Sequence, residues 1–272
     1  MRIETRGPQD GICNICGEFS PLTNDHIPPK GVPLVGQAYL KRLSDTLGAE
    51  RVRRAGRHFQ KGVKYRSICA TCNNELLGGQ YDPTLIKFCN ELHSVLGRQA
   101  HVPIELSVCV NRLLRALVGH ILSHGVGQHR IGQLSSTLTD YLLDNTRAFP
   151  EDLRAYCWIY PYKAQVVAHG LGSIFDFRAT GEPFVFSLLK FYPIGFIVST
   201  TDLPHREAQA VSRLDPLANG RIDNIETVSL NVSFVPPGRW PEAPGKNGVV
   251  FHNSLGTFAT PGRAEPGVKR DR

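Results

Sequence analysis

No stretch of this sequence approaches the roughly 18 uninterrupted apolar residues of a membrane-spanning helix. The longest apolar run, Phe184 to Val198, is broken by Lys190 and Pro193. The N-terminus MRIETRGPQDG has no apolar h-region, so no secretory signal is read. There is no internal repeat, no glycine-rich phosphate loop and no nucleophile elbow; Gly170-Leu171-Gly172 reads as a turn. Hydrophobic content of 41% and charged content of 20% exclude global disorder and collagen-like structure. A chain of 272 residues has room for one large domain or two modest ones around a buried core. The expectation is a soluble cytoplasmic protein without a membrane partner.

Acidic residues are scarcest where basic ones crowd. The chain carries 31 Lys and Arg against 24 Asp and Glu, a net charge of +7. Between Lys41 and Arg66 stand Lys41, Arg42, Arg51, Arg53, Arg54, Arg57, Lys61, Lys64 and Arg66, opposed only by Asp45 and Glu50. That one segment therefore matches the excess of the whole chain. Such a cluster reads as a polyanion-binding surface, because each cation set on a phosphate releases condensed counterions. A solvated helix face is the plainer alternative. Together with Lys30, these residues form the candidate nucleic-acid surface.

Cysteines are few but patterned. Of seven, four form two CxxC pairs, Cys13/Cys16 and Cys69/Cys72; Cys89, Cys109 and Cys157 stand alone in apolar stretches and read as buried small hydrophobes. In a chain without a secretory signal, two CxxC pairs read as a tetrahedral S4 zinc site before they read as disulfides. Two intervening residues make a tight turn that aims both sulfurs at one point, and a second turn completes the tetrahedron. A redox CxxC is the rival, but it lacks its βαβ context. The 52 residues between Cys16 and Cys69 exceed the spacing of a simple zinc ribbon, so something is inserted.

Directly after the first pair comes Leu22-Thr23-Asn24-Asp25-His26-Ile27-Pro28-Pro29-Lys30, and directly after the second comes Asn73-Asn74. Asp-His-Ile-Pro framed by two CxxC pairs, with Asn after the last Cys, resembles the HNH endonuclease family. The resemblance covers about residues 10–82. It implies a ββα-metal unit: a hairpin carrying the catalytic His, then a helix near the second knuckle. It further implies His26 as general base, and Asp25 and Asn73 as ligands of a catalytic Mg2+ or Mn2+. Asn74 competes with Asn73, and either could cap a helix. Asn24-Asp25 and Pro28-Pro29 would also suit an ordinary turn. A neutral imidazole can take a proton from water near neutral pH, and oxygen ligands leave a cation open positions for phosphate and water. The sequence departs from the family on the second strand. Gln60 to Ser67 holds neither Asn nor His to orient the base, so Gln60, Lys64, Ser67 or a backbone carbonyl must serve.

Leu22–Ile27 and Val63–Ile68 read as strands and Asn73–Leu77 as a short helix ended by Gly78-Gly79. The four-residue spacing of Val35, Tyr39, Leu43 and Leu47 predicts a helical insertion from about Val35 to Gly56. Asp82 reads as an N-cap with Pro83 in the first turn. Further helices are expected over Ile104–Ser123 and Leu134–Leu143. His120 and His124, spaced i, i+4, are an outside candidate for a metal. Strands are expected at Ala164–His169, Phe184–Ser187, Ile194–Ser199 and Thr227–Phe234, the last from strict alternation.

The reading is thus α+β. Residues 1–100 form a zinc-stabilised, HNH-like nuclease unit with a helical insertion. Residues 101–235 form an α+β region with a mainly antiparallel sheet and no assigned role. Residues 236–272, with six Pro and six Gly, form a loose tail. The expected function is metal-dependent hydrolysis of nucleic acid, DNA foremost, in a biology such as anti-phage defence. The alternatives are a non-catalytic zinc-knuckle nucleic-acid binder and a module whose basic patch meets an acidic protein.

Overall fold

In the computed structural model the described residues are 4–47, 56–98, 103–175, 184–203, 209–243, 248–251 and 255–262. The protein is α+β with mostly antiparallel sheets and few helices. The elements in chain order begin with strands β1 (Asp10–Ile12), β2 (Phe19–His26), β3 (Ala38–Arg42), β4 (Arg57–Phe59) and β5 (Lys64–Cys69). A π-helix (Thr71–Tyr81) leads into α1 (Asp82–Leu96), and β6 (Ile104–Cys109), α2 (Val110–Leu122) and α3 (Gln133–Leu143) follow. The remainder is strand: β7 (Arg154–Ile159), β8 (Gln165–Phe175), β9 (Phe184–Phe191), β10 (Ile194–Ser199), β11 (Ser212–Arg213), β12 (Ile225–Leu230), β13 (Gly248–Phe251) and β14 (Thr257–Pro261). No described helix is long and apolar enough to cross a membrane.

A small sheet of order β1-β2-β5 carries the cysteine pairs and His26. A larger sheet runs β11-β7-β10-β9-β8-β14-β3-β4, with β13 also on β8, and a third sheet pairs β12 with β6. The strands of the large sheet alternate between two cores. Cys157, Leu189, Phe191 and Phe196 face the main cluster, which continues through Leu77, Phe88, Leu113, Leu117 and Ile121. Tyr156, Trp158, Phe186, Leu188 and Ile197 face a second cluster closed by Trp240. This is the period-2 pattern that makes a sheet buried on both faces.

Helix α2 is the centre of the main core. Its residues from Val110 to Leu122 are all buried except Arg112, and the buried ones include Arg115 and His120. Arg115 lies 4.0 Å over the Tyr141 ring and donates to the Tyr141 and Arg147 carbonyls, so its charge is met inside the fold. The cluster runs from Cys13 to Ala259, across the boundary expected near residue 100. The small sheet is tied to it polarly as well: the Tyr65 hydroxyl lies 3.1 Å from Thr257 Oγ1, and Ser67 Oγ donates to the Ser123 carbonyl at 2.5 Å.

Several local expectations are corrected. The insertion is not helical over its described part: it holds β3 and a single 3-10 turn at Ser44–Thr46, and β4 follows it. Ala38 and Leu40 are buried by pairing with β14, which outweighs the four-residue stripe. The helix expected over Ile104–Ser123 divides at Cys109. Ile104, Leu106 and Val108 alternate into the core as β6 against β12. Gly78-Gly79 does not end the helix after Cys72. The chain widens there to a π-helix and enters α1 without a break, so Asp82 is a helix-interior side chain rather than a cap. Part of the expected loose tail is ordered as β13 and β14, held by β8 and β3.

Candidate metal centre and basic cleft

The first cysteine turn closes through Gly17, whose φ of +79° suits a residue without Cβ. Gly17 N–H donates to the Cys13 carbonyl at 3.0 Å, and Cys13 N–H to the Glu18 carbonyl at 2.9 Å. The second turn sits where β5 runs into the π-helix. Asn14 N–H donates to the Ser67 carbonyl at 2.9 Å, which locks one turn to the strand feeding the other. The four Sγ atoms lie within 4.8 Å of one another. Zn–S bonds of about 2.3 Å imply a tetrahedral edge of about 3.8 Å, and Cys16 Sγ to Cys69 Sγ is 3.8 Å.

The donor chemistry fits a soft divalent cation. All four cysteines are free thiols. The Cys13 thiol is pulled down to about 4 by the Cys72 thiol and by backbone N–H groups of the turns. Cys16 is pushed up to about 11, mainly by burial. Cys72 is pushed up because it donates to Cys13 and faces its charge. One thiolate in the cluster thus discourages the next, and a cation at the centre removes that conflict. This four-cysteine cluster could hold a metal ion such as zinc. Backbone N–H donors at Cys69, toward Cys13 Sγ at 3.3 Å, and at Cys72, toward Cys69 Sγ at 3.4 Å, complete its outer shell.

His26 ends β2 opposite Lys64, and Asn24 lies opposite Arg66 on the same outward face. The His26 ring is half-buried; its Nε2 is shielded and has no hydrogen-bond partner. The ring hydrogen-bonds the Lys61 backbone, so a carbonyl takes the orienting part for which the sequence offered no Asn or His. Burial, then Lys30 and Lys64, depress its pKa to about 4, while Asp25 and the Lys61 bond act weakly the other way. The imidazole is therefore neutral at physiological pH.

Asp25 takes the opposite face of β2, as strand alternation requires. It is buried opposite Tyr65; its Oδ2 accepts from Ser123 Oγ at 2.5 Å and lies 3.3 Å from His120 Nδ1. The far nitrogen of His120 lies 3.0 Å from Asp82 Oδ1. Burial opposes a charge on His120, but the Asp82 and Asp25 carboxylates override it and hold its pKa up at about 10. An imidazolium between two carboxylates is an ion-pair bridge, and its two nitrogens point apart rather than at one ion. His124 sits elsewhere, with Nε2 2.9 Å from Thr257 Oγ1. The i, i+4 pair does not form a metal site.

Asn73 Nδ2 donates to Thr23 Oγ1 at 2.9 Å and to the Asn24 carbonyl at 3.3 Å. It buttresses the bulge where the β2–β5 register shifts between Thr23 and Asn24. Among the described residues, the four cysteines are the one cluster of three or more His, Cys, Asp or Glu able to hold a metal. Asp25 and Asn73 do not join His26 as a catalytic cation site; Asp25 is turned inward and already bonded.

On the outward face lies a cavity of about 460 Å3 whose basic lining is Arg6, Arg57, His58, Lys61, Lys64 and Arg66. Thr5, Asn24, Phe59 and Gln60 complete it, with no carboxylate among the described lining residues. Arg57, Lys61, Lys64 and Arg66 come from the basic run. Arg6 and Asn24 come from outside that run, and His58 lies within it. Arg6 arrives because residues 5–7 run beside β5: Arg66 N–H donates to the Thr5 carbonyl at 3.0 Å and Gly7 N–H to the Arg66 carbonyl at 3.1 Å. Lys30 is exposed and close enough to His26 to affect its charge. Lys41 and Arg42 lie on β3 outside the cavity lining, with Lys41 Nζ 5.3 Å over the Tyr39 ring. Arg51, Arg53 and Arg54 lie outside the described residues. No family model, curated protein or solved structure matches the chain.

Proposed function

We propose that this chain is an HNH-like endonuclease that holds nucleic acid in the basic cleft and uses His26 as the general base of phosphodiester hydrolysis. One observation carries the reading. A neutral, backbone-oriented imidazole with an orphaned Nε2 shares a strand face with Lys64 and Arg66 of the cleft. Nε2 is closed to solvent in this conformation and His26 is not among the cleft's lining residues. A small shift of the ring or of its cover would admit the water on which it acts. Nε2 would take that water's proton as its oxygen attacks phosphorus and the bond from phosphorus to one ester oxygen breaks, the departing oxygen taking a proton from solvent. Lys64 and Arg66 would meet the charge developing on the phosphoryl oxygens. The four-cysteine centre would act as scaffold, joining the β1–β2 hairpin to β5 and the π-helix. In this reading the antiparallel β2–β5 pair and the helix after Cys72 would stand for the ββα unit that the resemblance implies. The Asp25/Asn73 cation set of the resemblance does not fit the contacts those side chains make.

The engagement of Asp25 by Ser123 and His120 favours a second reading, a nucleic-acid binder on the same scaffold with a degenerate active site. Cleavage of supercoiled plasmid and of labelled DNA and RNA strands separates the two, run with and without Mg2+ or Mn2+. His26→Ala is expected to lose about 10²- to 10⁴-fold in rate, the usual worth of a general base, with binding retained. Equal cleavage by wild type and variant removes His26 from the mechanism. Salt-dependent binding with no cleavage by either protein supports the binder.

A further inference from the structure

We propose that the basic cleft is a receptor for an unpaired nucleotide, so that the substrate is single-stranded or locally opened nucleic acid rather than intact duplex. The inference rests on the nucleic-acid reading above and specifies its substrate class. Three observations carry it.

The first is shape. The cleft is a concavity of about 460 Å3, within the range of about 300–1,000 Å3 that encloses small organic ligands. A duplex is a convex rod whose bases are stacked inside it, and its phosphates meet a surface. A pocket of this size admits one extruded or unpaired nucleotide instead.

The second is the presence of a stacking platform among the cations. Phe59 lines the cleft and is rooted against the main core, and the Arg57 guanidinium carbon lies 5.1 Å from its ring centre. Arg57 is itself held by a hydrogen bond to Thr5 Oγ1, and Thr5 is buried. A guanidinium plane and an aromatic ring are the two side-chain surfaces on which an exposed base stacks. Pure phosphate neutralisation needs neither.

The third is the arrangement of charge. Lys64 and Arg66 alternate outward along β5, and Arg6 joins them from the neighbouring segment. Lys61 stands on the chain that leads away from the Arg57–Phe59 pair. Cations thus surround the aromatic platform, as a strand with a phosphate on each side of a seated base requires.

The test is fluorescence anisotropy on the full chain with labelled oligo-dT and with its blunt duplex with oligo-dA, each across a salt series. The single strand is expected to bind about tenfold or more tighter than the duplex. Phe59→Leu keeps an apolar side chain at the core but removes the ring face. It is expected to lose about tenfold in single-strand affinity with an unchanged salt slope. Lys64→Ala is expected to lower the slope by about one, as one phosphate contact would. Circular dichroism and thermal melts confirm that both variants are folded. Duplex bound as tightly as single strand, or a folded Phe59→Leu protein with wild-type affinity, overturns the unpaired-nucleotide receptor while leaving a nucleic-acid surface intact. Absence of salt-dependent binding to either probe overturns the underlying nucleic-acid reading as well.

Discussion

His120 Nδ1 lies 3.3 Å from Asp25 Oδ2, which fastens the strand that carries His26 to the most buried helix of the fold. The same ring reaches Asp82 at 3.0 Å, so one side chain joins β2, α1 and α2. Removing it leaves two carboxylates and the Ser123 hydroxyl network short of a partner. His120→Leu is expected to destabilise the protein by about 3–5 kcal/mol, the usual cost of breaking a buried ion pair from one side. Urea unfolding followed by tryptophan fluorescence measures it. A change under about 1 kcal/mol would mean that Asp25 does not depend on this bridge.

The buried histidines give the stability a pH dependence of known sign. His26, His124 and His169 are all depressed, to about 4, 3 and 4. Burial is the first cause in each; Lys30 and Lys64 add to it for His26, and His169 for His124. Below the ordinary histidine value near 6.5 the unfolded chain therefore binds protons that the folded chain does not. Stability falls as pH drops from about 6.5 toward 4, on the order of a few kcal/mol. His120 has the opposite sign: its contribution is complete below about 6.5 and is lost as pH rises through about 10. Melting temperatures from pH 4.5 to 10 should peak between these limbs. His169→Gln, which can still donate to the Ile121 carbonyl now 2.6 Å from the ring, should flatten the acid limb by about one proton.

A second buried ion pair anchors the chain beyond β12. Lys190 Nζ on β9 donates to both Glu242 oxygens at 2.7 Å and to the Gly238 and Trp240 carbonyls at 2.8 Å. Both side chains are essentially inaccessible. Lys190→Met should cost about 3–5 kcal/mol by stranding Glu242, and Lys190→Met with Glu242→Met should recover much of it. Denaturant unfolding of the two single variants and the double variant checks the coupling. Additive losses would show that the pair does not act as a unit.

Legibility in the sequence tracked distance along the chain. The cysteine turns, the strand through Asp25 and His26, and the strand entering Cys69 were readable because spacing and β-branched content act locally. The local pattern around Leu40 and Leu106 suggests helix because their strand partners, Ala259 and Val228, lie far along the chain. A strand edge that is half polar looks helical until its neighbour is known. The basic run signalled four of the cleft's cations, but Arg6 is brought in by its bridge to Arg66. The inward face taken by Asp25 depends on Ser123 and His120 of the α2 region, which no local pattern around Asp25 encodes.

The four-cysteine centre yields the last prediction. Its sulfurs come from two segments separated by the insertion, joined by the backbone bond from Asn14 N–H to the Ser67 carbonyl and by the Cys69 N–H bond to Cys13 Sγ. A cation there would replace thiol–thiol contacts with bonds worth far more than any one hydrogen bond; apparent zinc affinities in small S-ligand folds are about 10–16 kcal/mol. The purified protein should carry one zinc per chain, read by atomic absorption or by a colorimetric chelator after thiol modification. Cys69→Ser should lose that zinc and lower the melting temperature by several degrees. It should also expose the Cys13–Cys16 hairpin to protease, because Cys13, Cys69 and Cys72 belong to the main cluster and lose the centre that joins them. Full occupancy in Cys69→Ser, or a melting curve indifferent to chelator at elevated temperature, would rule out a structural role for the metal.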